Sequence, residues 1–590
     1  MELLRTDRPD DHEAIKFDGL TVWTPEEWSW WRRKQIKPET IILNNVSGCI
    51  KDGEFAAVIG PSGAGKTTFL VALGGKCTLP SKGTVTVKGR NVKTLQGVVE
   101  ILPQFEVFVN SLSVMEHLIF MIEIKLGSWK KASNKFILDS LIKELKLSAH
   151  KDTSIESLSG GERRLLSIAT SLLSNPQILI CDEPTTGLDS YNALLVIDIL
   201  KKLSVAGKIV ICSVHQPSSD LFKEFNSILL MAEGRLLFHG SHEECKEVFA
   251  RINFHCPENY NPAEYYIKTV SNLNNYRYVE IMESFRDRSC EYDDLERPSI
   301  ELTNNITKRN WFRQVHLLLW RSSITLKRSI RNHIFQLFIT LMLSSMVLGI
   351  CFGGVSGTTP RGTQDMQGLL WLLTSELSFI LAYSALNIFS TELTLFKREV
   401  GMYDCSAYLV ATFLCFLPRC VIWPFTLVIV ATTAVELPNH VLTAIKFITA
   451  LFFTGLSSVA FGLGMGAIFL TSGLMDDVMS AVDMPLLLVS GVFLQLTSLP
   501  VWLYPVKYLS HFYYGMDALS NIYWRQVDHI DCPSNCTDPC IKDGISVLIY
   551  KGYSNDFILQ DTFGLLFIMS MWGVLAYFGL KREENKGYAY

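Results

Sequence analysis

Gly60-Pro61-Ser62-Gly63-Ala64-Gly65-Lys66-Thr67 decides how this chain is read, because it stands between an apolar run, Phe55 to Ile59, and a helical run opening near Thr67. Strand, glycine-rich turn and helix in that order form a phosphate cradle. The glycines let backbone N–H groups approach an anion, Lys66 neutralises β and γ oxygens, and the Thr67 hydroxyl, with Thr68 beside it, faces Mg²⁺ at a positive helix terminus. The expected ligands are therefore ATP and Mg²⁺.

Working outward, short β-rich runs alternate with helical ones from Thr40 to about Phe254, for example Ile178 to Cys181 and Ile209 to Val214, which reads as a parallel α/β sheet. The run Ile178-Leu179-Ile180-Cys181 delivers Asp182 and Glu183 at its end. Asp182 suits Mg²⁺, and Glu183 suits a general base that orients and polarises an attacking water. Leu158-Ser159-Gly160-Gly161-Glu162 is a small-residue turn at a helix start, a second place where N–H and hydroxyl donors can meet phosphate.

That pentapeptide, ordered between Lys66 and Asp182, resembles the signature of ATP-binding-cassette proteins. The resemblance implies that Ser159, Gly160, Gly161 and Glu162 bind the γ-phosphate of ATP held by an opposing domain. It also implies that Gln104 senses Mg²⁺ and contacts a membrane domain, that Asp189 crosses a dimer interface, and that His215 touches the γ-phosphate. Taken singly, Gln104 or His215 is more often a plain surface or satisfied core residue. For adenine stacking, Trp23 and Phe17 are candidates that nothing separates from packing aromatics.

Composition gives the second half. The 590 residues exceed one hydrophobic core, and only 19% are charged. Mean hydropathy is +0.22, and the region after Arg331 carries long runs with almost no charge. A net charge of -4 leaves no basic footprint for nucleic acid. Six apolar spans are expected at about 334–353, 369–390, 413–435, 443–470, 478–498 and 560–580, an all-α transmembrane domain after the α/β P-loop domain. Domain limits read as 1–270 for the nucleotide domain, 271–332 for a linker and connecting helix, and 333–590 for the membrane domain. Trp311 to Arg331, with Arg313, Arg321, Lys327, Arg328 and Arg331, reads as an amphipathic helix lying on the cytoplasmic membrane surface.

Lys/Arg before the first span, Lys397 and Arg398 after the second, and Lys581 and Arg582 after the sixth place both termini in the cytoplasm if the count is even. The segment at about 500–560 is then an outer loop. It holds the acceptor Asn535-Cys536-Thr537 and the only cysteine cluster, Cys532, Cys536 and Cys540. Cys532 and Cys540 are close enough in sequence for a disulfide, leaving Cys536 free or bridging two subunits. The opening Met1 to Ile15 has no apolar signal-peptide region.

The ATPase-first order, His215-Gln216-Pro217-Ser218-Ser219, Asn261-Pro262-Ala263-Glu264-Tyr265, and Phe396-Lys397-Arg398-Glu399 with Tyr403 and Tyr408 resemble the ABCG subfamily, the White/Brown group of half-transporters, over nearly the whole chain. Leu102-Pro103-Gln104-Phe105-Glu106, Ile530-Asp531-Cys532-Pro533 and the end Gly587-Tyr588-Ala589-Tyr590 are similar to its Brown-type branch in insect eye-pigment transport. Many members carry Asp where Phe105 stands. The resemblance implies an exporter fold, a White-like second subunit, and guanine-like or pteridine precursors moved into granules. Sterols, lipids or xenobiotics as cargo, or a non-catalytic role beside a hydrolysing partner, are the alternatives.

Glu376 lies within the second span, where an ionisable group is a candidate functional residue. It is expected either to face a dimer cavity and accept N–H groups of a purine- or pterin-like ring, with Phe379 stacking, or to pair with Arg419 or a backbone group. Ser490-Gly491-Val492-Phe493-Leu494 sits where the subfamily has a hydrophobic gate, so Val492 and Phe493 are read as gate residues or as lipid-facing packing.

Overall fold

Runs of consecutive aliphatic residues form the buried strands of one six-stranded sheet. In the computed structural model, which describes residues 13–29, 34–95, 97–258, 260–272, 278, 281, 309–435, 437–470, 475–531, 541–554 and 558–586, the strand order is Arg235–Gly240, Ser227–Ala232, Phe55–Ile59, Ile209–Ser213, Ile178–Cys181, Val99–Leu102. Only Arg235–Gly240 is antiparallel to its neighbour. Parallel strands are covered on both faces, and every residue of Phe55–Ile59, Ile178–Cys181 and Ile209–Ser213 is buried. The carboxyl ends of four parallel strands therefore deliver Gly60, Gln104, Asp182 and His215 to one edge of the sheet, where ligands bind in such folds.

A second sheet, in the order Thr40–Lys51, Glu13–Thr24, Ser81–Val87, Arg90–Asn91, is antiparallel. Phe17 from this sheet packs edge-on against Phe69 of helix Lys66–Leu73, with ring centroids 5.3 Å apart. Phe17 is 1% exposed, so it is core and unavailable to stack on adenine. Trp23 lies half-buried under the Lys82 ammonium, 5.7 Å from its ring centroid.

The chain divides into two compact units, the second being Asn310–Asn585 and the first the remainder. In the second unit, five helices among the described residues are long and apolar enough to cross a membrane: Trp311–Phe352, Arg361–Arg398, Cys405–Ala434, His440–Ile468 and Leu559–Asn585. Three expectations change here. The amphipathic stretch and the first span are one unbroken helix of 42 residues, so a boundary at 332/333 falls inside it. Among the described residues, the stretch 478–498 is α-helical only to Leu488, in the helix Met475–Leu488, short of the expected limit at 498. Pro485 lies inside it, and Gly491 beyond it adopts φ +92°, where a Cβ would stand 2.8 Å from the Tyr553 hydroxyl. The stretch 500–560 is a folded segment, since it contains helices His511–Trp524 and Gly544–Lys551, the first buried at every position except Tyr514.

Close packing in this unit depends on glycine. A Cβ on Gly462 would sit 2.2 Å from the Ala382 carbonyl oxygen, and one on Gly466 would sit 2.5 Å from that of Leu386. Helices His440–Ile468 and Pro360–Leu386 thus touch backbone to backbone across a small-xxx-small seam, which apolar side chains in lipid cannot achieve by hydrophobic force alone.

Candidate functional site

The phosphate loop is shaped by its neighbours. Gly65 takes φ +92° as the residue preceding helix Lys66–Leu73, and a Cβ there would meet Leu43 at 2.9 Å. Lys66 is 8% exposed, and its ammonium donates to the carbonyls of Gly60 (2.8 Å) and Pro61 (3.0 Å), holding the loop curled around itself. Burial pushes the Lys66 ammonium below the usual lysine range, while the carboxylates of Glu183 and Asp182 pull it back up. Thr67 is exposed and Thr68 half-buried on the first turn, and Ser62 and Gly63 are exposed.

Asp182 and Glu183 are locked by a serine that the sequence reading passed over. Ser213 Oγ donates to Asp182 Oδ1 (2.5 Å) and accepts from the Glu183 N–H (2.8 Å). Glu183 occupies left-handed backbone, φ +45°, a conformation that costs a non-glycine residue about 1–3 kcal/mol. Its side chain accepts hydrogen bonds at Oε2 from Gln104 Nε2 and from Thr186 Oγ1, each 2.8 Å. Gln104 and Glu183, 79 positions apart, are therefore directly joined.

Arg164 explains how that junction is held. It is 2% exposed, and its guanidinium donates to the carbonyls of Pro103 (2.8 Å), Gln104 (3.3 Å), Pro184 (3.0 Å), Asp182 (3.1 Å) and Glu183 (3.1 Å), and to Glu106 Oε1 (3.2 Å). One planar fork spans the loop carrying Gln104 and the turn carrying Glu183. Arg164→Lys keeps the charge but cannot reach both loops. It is expected to cost about 1.5–3 kcal/mol of stability, the worth of one or two charge-assisted bonds, and to lower nucleotide turnover with it. Thermal unfolding of the full chain checks the first part; an unchanged midpoint would refute it.

The signature residues form a separate group. Ser159 caps helix Gly160–Leu172: its hydroxyl accepts from the Glu162 N–H (3.4 Å), and Glu162 Oε2 accepts from the Ser159 N–H (2.9 Å). His150 Nε2 lies 3.2 Å from the other Glu162 oxygen. Ser159 and Gly160 are exposed. Gly161 faces Asn192, whose Nδ2 donates to Asp189 Oδ1 (2.5 Å), so Asp189 and the signature are neighbours. His215 is exposed and makes no hydrogen bond among the described residues.

For Mg²⁺, the fit is favourable on the donor set. Asp182 Oδ2 carries no hydrogen bond among the described residues, the Gln104 amide nitrogen is committed to Glu183 and leaves Oε1 as an acceptor, and Thr67 supplies a hydroxyl. Oxygen-only ligands suit this hard cation.

In the membrane unit, Glu376 is half-buried and borders a cavity of about 160 Å³ with Thr340, Ser344, Leu348, Leu373 and Leu427. The expected pair with Arg419 is not formed: Arg419 lies 3.3 Å from His333 Nδ1 and against the Phe416 ring. Phe379 is not in the wall of that cavity; it packs on Phe512 (5.4 Å), so the expected joint site of Glu376 and Phe379 is corrected. Val492 is half-buried, and Phe493 is 57% exposed with its ring edge-on to Trp371 at 5.4 Å. Asn535, Cys532, Cys536 and Cys540 lie outside the described residues.

With this geometry in hand, three likenesses bear on identity. The family model described as ABC transporter matches residues 43–186, and that described as ABC-2 type transporter matches 313–524, with a further ABC-2 type match at 215–284. The chain is similar to protein white of Drosophila melanogaster, at 33% identity over 93% of this chain and 84% of that protein. It is similar to protein scarlet of the same fly (30%; 97% and 90%) and to its protein brown (28%; 98% of each).

Proposed function

This chain belongs to the ABC transporters as a half-transporter of the White/Brown group, and on that premise we propose that it exports a guanine-like or pteridine pigment precursor as the partner of a White-like subunit. It is a multi-pass membrane protein and an ATPase coupled to transport, and half-transporters of this group work as dimers.

The observation that supports catalysis by this chain, beyond passive partnership, is the Gln104–Glu183 hydrogen bond of 2.8 Å beside a buried Lys66. Lys66 and the loop N–H groups hold the triphosphate. Mg²⁺, held by Thr67, Asp182 and Gln104, supplies charge neutralisation when bound. Glu183 orients the water and takes its proton, and His215 steadies the γ-phosphate. Ser159, Gly160, Gly161 and Glu162 complete the partner's nucleotide site, with Asp189 at the interface. Closing two such composite sites favours one opening of the attached helices over the other, and that differential is what couples hydrolysis to transport. Both termini lie in the cytoplasm, the segment at about 500–560 faces the outside or granule lumen with Asn535 glycosylated, and Val492 and Phe493 form the gate.

Glu376 is the acceptor for the cargo's ring N–H groups, exchanged for bulk hydration in a cavity of purine-like size. Glu376→Gln halves the acceptor capacity and is expected to reduce uptake roughly tenfold at limiting substrate, since removing one partner strands a buried polar group. The deciding experiment is ATP-dependent uptake of guanine and of a pterin by inside-out vesicles carrying this chain with and without a White-like subunit. Uptake of neither, with sterol or amphipath uptake instead, removes the cargo reading.

A further inference from the structure

The loop Ser490 to Leu494 is held by a residue 63 positions further along the chain. Tyr553 is 5% exposed, and its hydroxyl donates to the carbonyl of Ser490 (3.2 Å), itself fully buried. Gly491 passes so close to that hydroxyl that a Cβ would meet it at 2.8 Å, and its φ of +92° is one that glycine adopts without strain. Beyond the exposed residues the loop is held again. Gln495 Nε2 donates to the Tyr550 hydroxyl (3.0 Å), and Gly552, at the carboxyl end of helix Gly544–Lys551, lies where a Cβ would stand 2.9 Å from the Thr497 nitrogen. Between the two fixed points, Phe493 and Leu494 are 57% and 43% exposed.

Helix Pro360–Leu386 supports the same loop from residues one turn apart. Gln367 Nε2 donates to the Tyr553 hydroxyl (2.9 Å), and the Trp371 ring meets Phe493 edge-on at 5.4 Å. Residues four apart share a helix face, so one face touches Phe493 directly and, through one phenol, the backbone that carries it.

A phenol has one hydrogen to give, and here it goes to Ser490. Gln367 is 4% exposed, and its Oε1 has no hydrogen-bond partner among the described residues. That oxygen belongs to the amide whose nitrogen already donates to Tyr553. Rotating the amide and the hydroxyl therefore reverses the bond: the phenol donates to Gln367 Oε1 and releases the Ser490 carbonyl. Tyr553 keeps a partner in both arrangements, as a buried hydroxyl must.

We propose that Tyr553 is a positioning residue for the gate: its hydroxyl holds the Ser490 to Leu494 loop in the conformation seen here and releases it by exchanging the Ser490 carbonyl for Gln367 Oε1. This rests on the reading of Val492 and Phe493 as the gate. Tyr553 acts on which loop conformation is populated, with no contact to cargo.

The test places Phe493→Cys in the partnered full-chain complex, in sealed right-side-out vesicles, with a membrane-impermeant maleimide and peptide mass spectrometry to read labelling at position 493. The quantity is the ratio of labelling rates without nucleotide and with ATP plus orthovanadate. With Tyr553 intact, this ratio is expected to differ from one. Adding Tyr553→Phe keeps the buried ring and removes only the hydroxyl, and is expected to shrink the ratio about three- to tenfold toward one, the population shift that one hydrogen bond supports. A role confined to packing weakens both states alike, so an unchanged ratio overturns the proposal. A ratio of one with Tyr553 intact overturns the gate reading itself, and the positioning role with it. If Tyr553→Phe fails to assemble, Gln367→Leu leaves the phenol in place and removes its second acceptor. The ratio is again expected to shrink about three- to tenfold, and no change overturns the exchange.

Discussion

Glu183→Gln is expected to slow conversion of ATP to ADP on this subunit by about 10²–10⁴-fold, the contribution of a positioned general base. The change is nearly isosteric. A glutamine oxygen can still accept from Gln104 Nε2 or Thr186 Oγ1, both 2.8 Å from Oε2 in the native chain, and the backbone clamp from Ser213 and Arg164 is untouched. Folding and nucleotide affinity should therefore persist while the water loses its base. Labelled ATP followed on this subunit, in the partnered complex, separates its own site from the site built on the partner. Retained turnover on this subunit would assign hydrolysis elsewhere and reduce this chain to a nucleotide-binding partner. Lys66 would then hold phosphate without chemistry following.

The elements of this site differ in how far local sequence can disclose them. Gly60 to Thr67 is contiguous, and each residue acts through backbone or side-chain atoms within one turn, so eight letters carry the geometry. Asp182 and Glu183 are legible as carboxylates ending an apolar strand. Ser213 and Arg164 are not, because their roles exist only when the strand Ile209–Ser213 lies beside Ile178–Cys181 and when two loops about 80 positions apart meet over one guanidinium. In the membrane unit, counting apolar residues finds long helices but not where one stops: the helix Met475–Leu488 ends before Gly491, which adopts φ +92°. The same counting misses Gly462 and Gly466, whose value is the backbone they allow to approach. Nor does it see that the polar stretch after 500 contributes a helix buried at nearly every position, His511–Trp524, in which Tyr513 and Asn521 both donate to Asp517.

Glu399→Gln is expected to destabilise the membrane unit by about 3–5 kcal/mol, the cost of stranding one member of a buried ion pair. Among the basic residues read as an amphipathic face on the membrane surface, Arg321 is different: it is 5% exposed, and its Nη1 donates to both oxygens of Glu399, each at 2.8 Å, with Glu399 itself 3% exposed. Tyr403 completes the site by donating its hydroxyl to Glu399 Oε2 (2.7 Å), and a parallel bond joins the Tyr408 hydroxyl to Glu392 Oε2 (2.6 Å). Nearby, Trp311 Nε1 donates to Ser406 Oγ (3.0 Å), and the Asp404 N–H donates to Gln314 Oε1 (2.7 Å). The first half of helix Trp311–Phe352 is thereby clamped to the turn between the second and third long helices. Removing only the carboxylate charge leaves a guanidinium that burial cannot tolerate. Replacing the pair, Arg321→Met with Glu399→Leu, removes both charges and should recover most of the loss, short of the hydrogen bond that Tyr403 then lacks. Denaturation of the solubilised complex with both single variants and the double one closes the cycle. A single variant that shifts stability by less than about 1 kcal/mol, the range of a solvent-exposed pair, would mean that water reaches Arg321 and that the clamp is a surface contact.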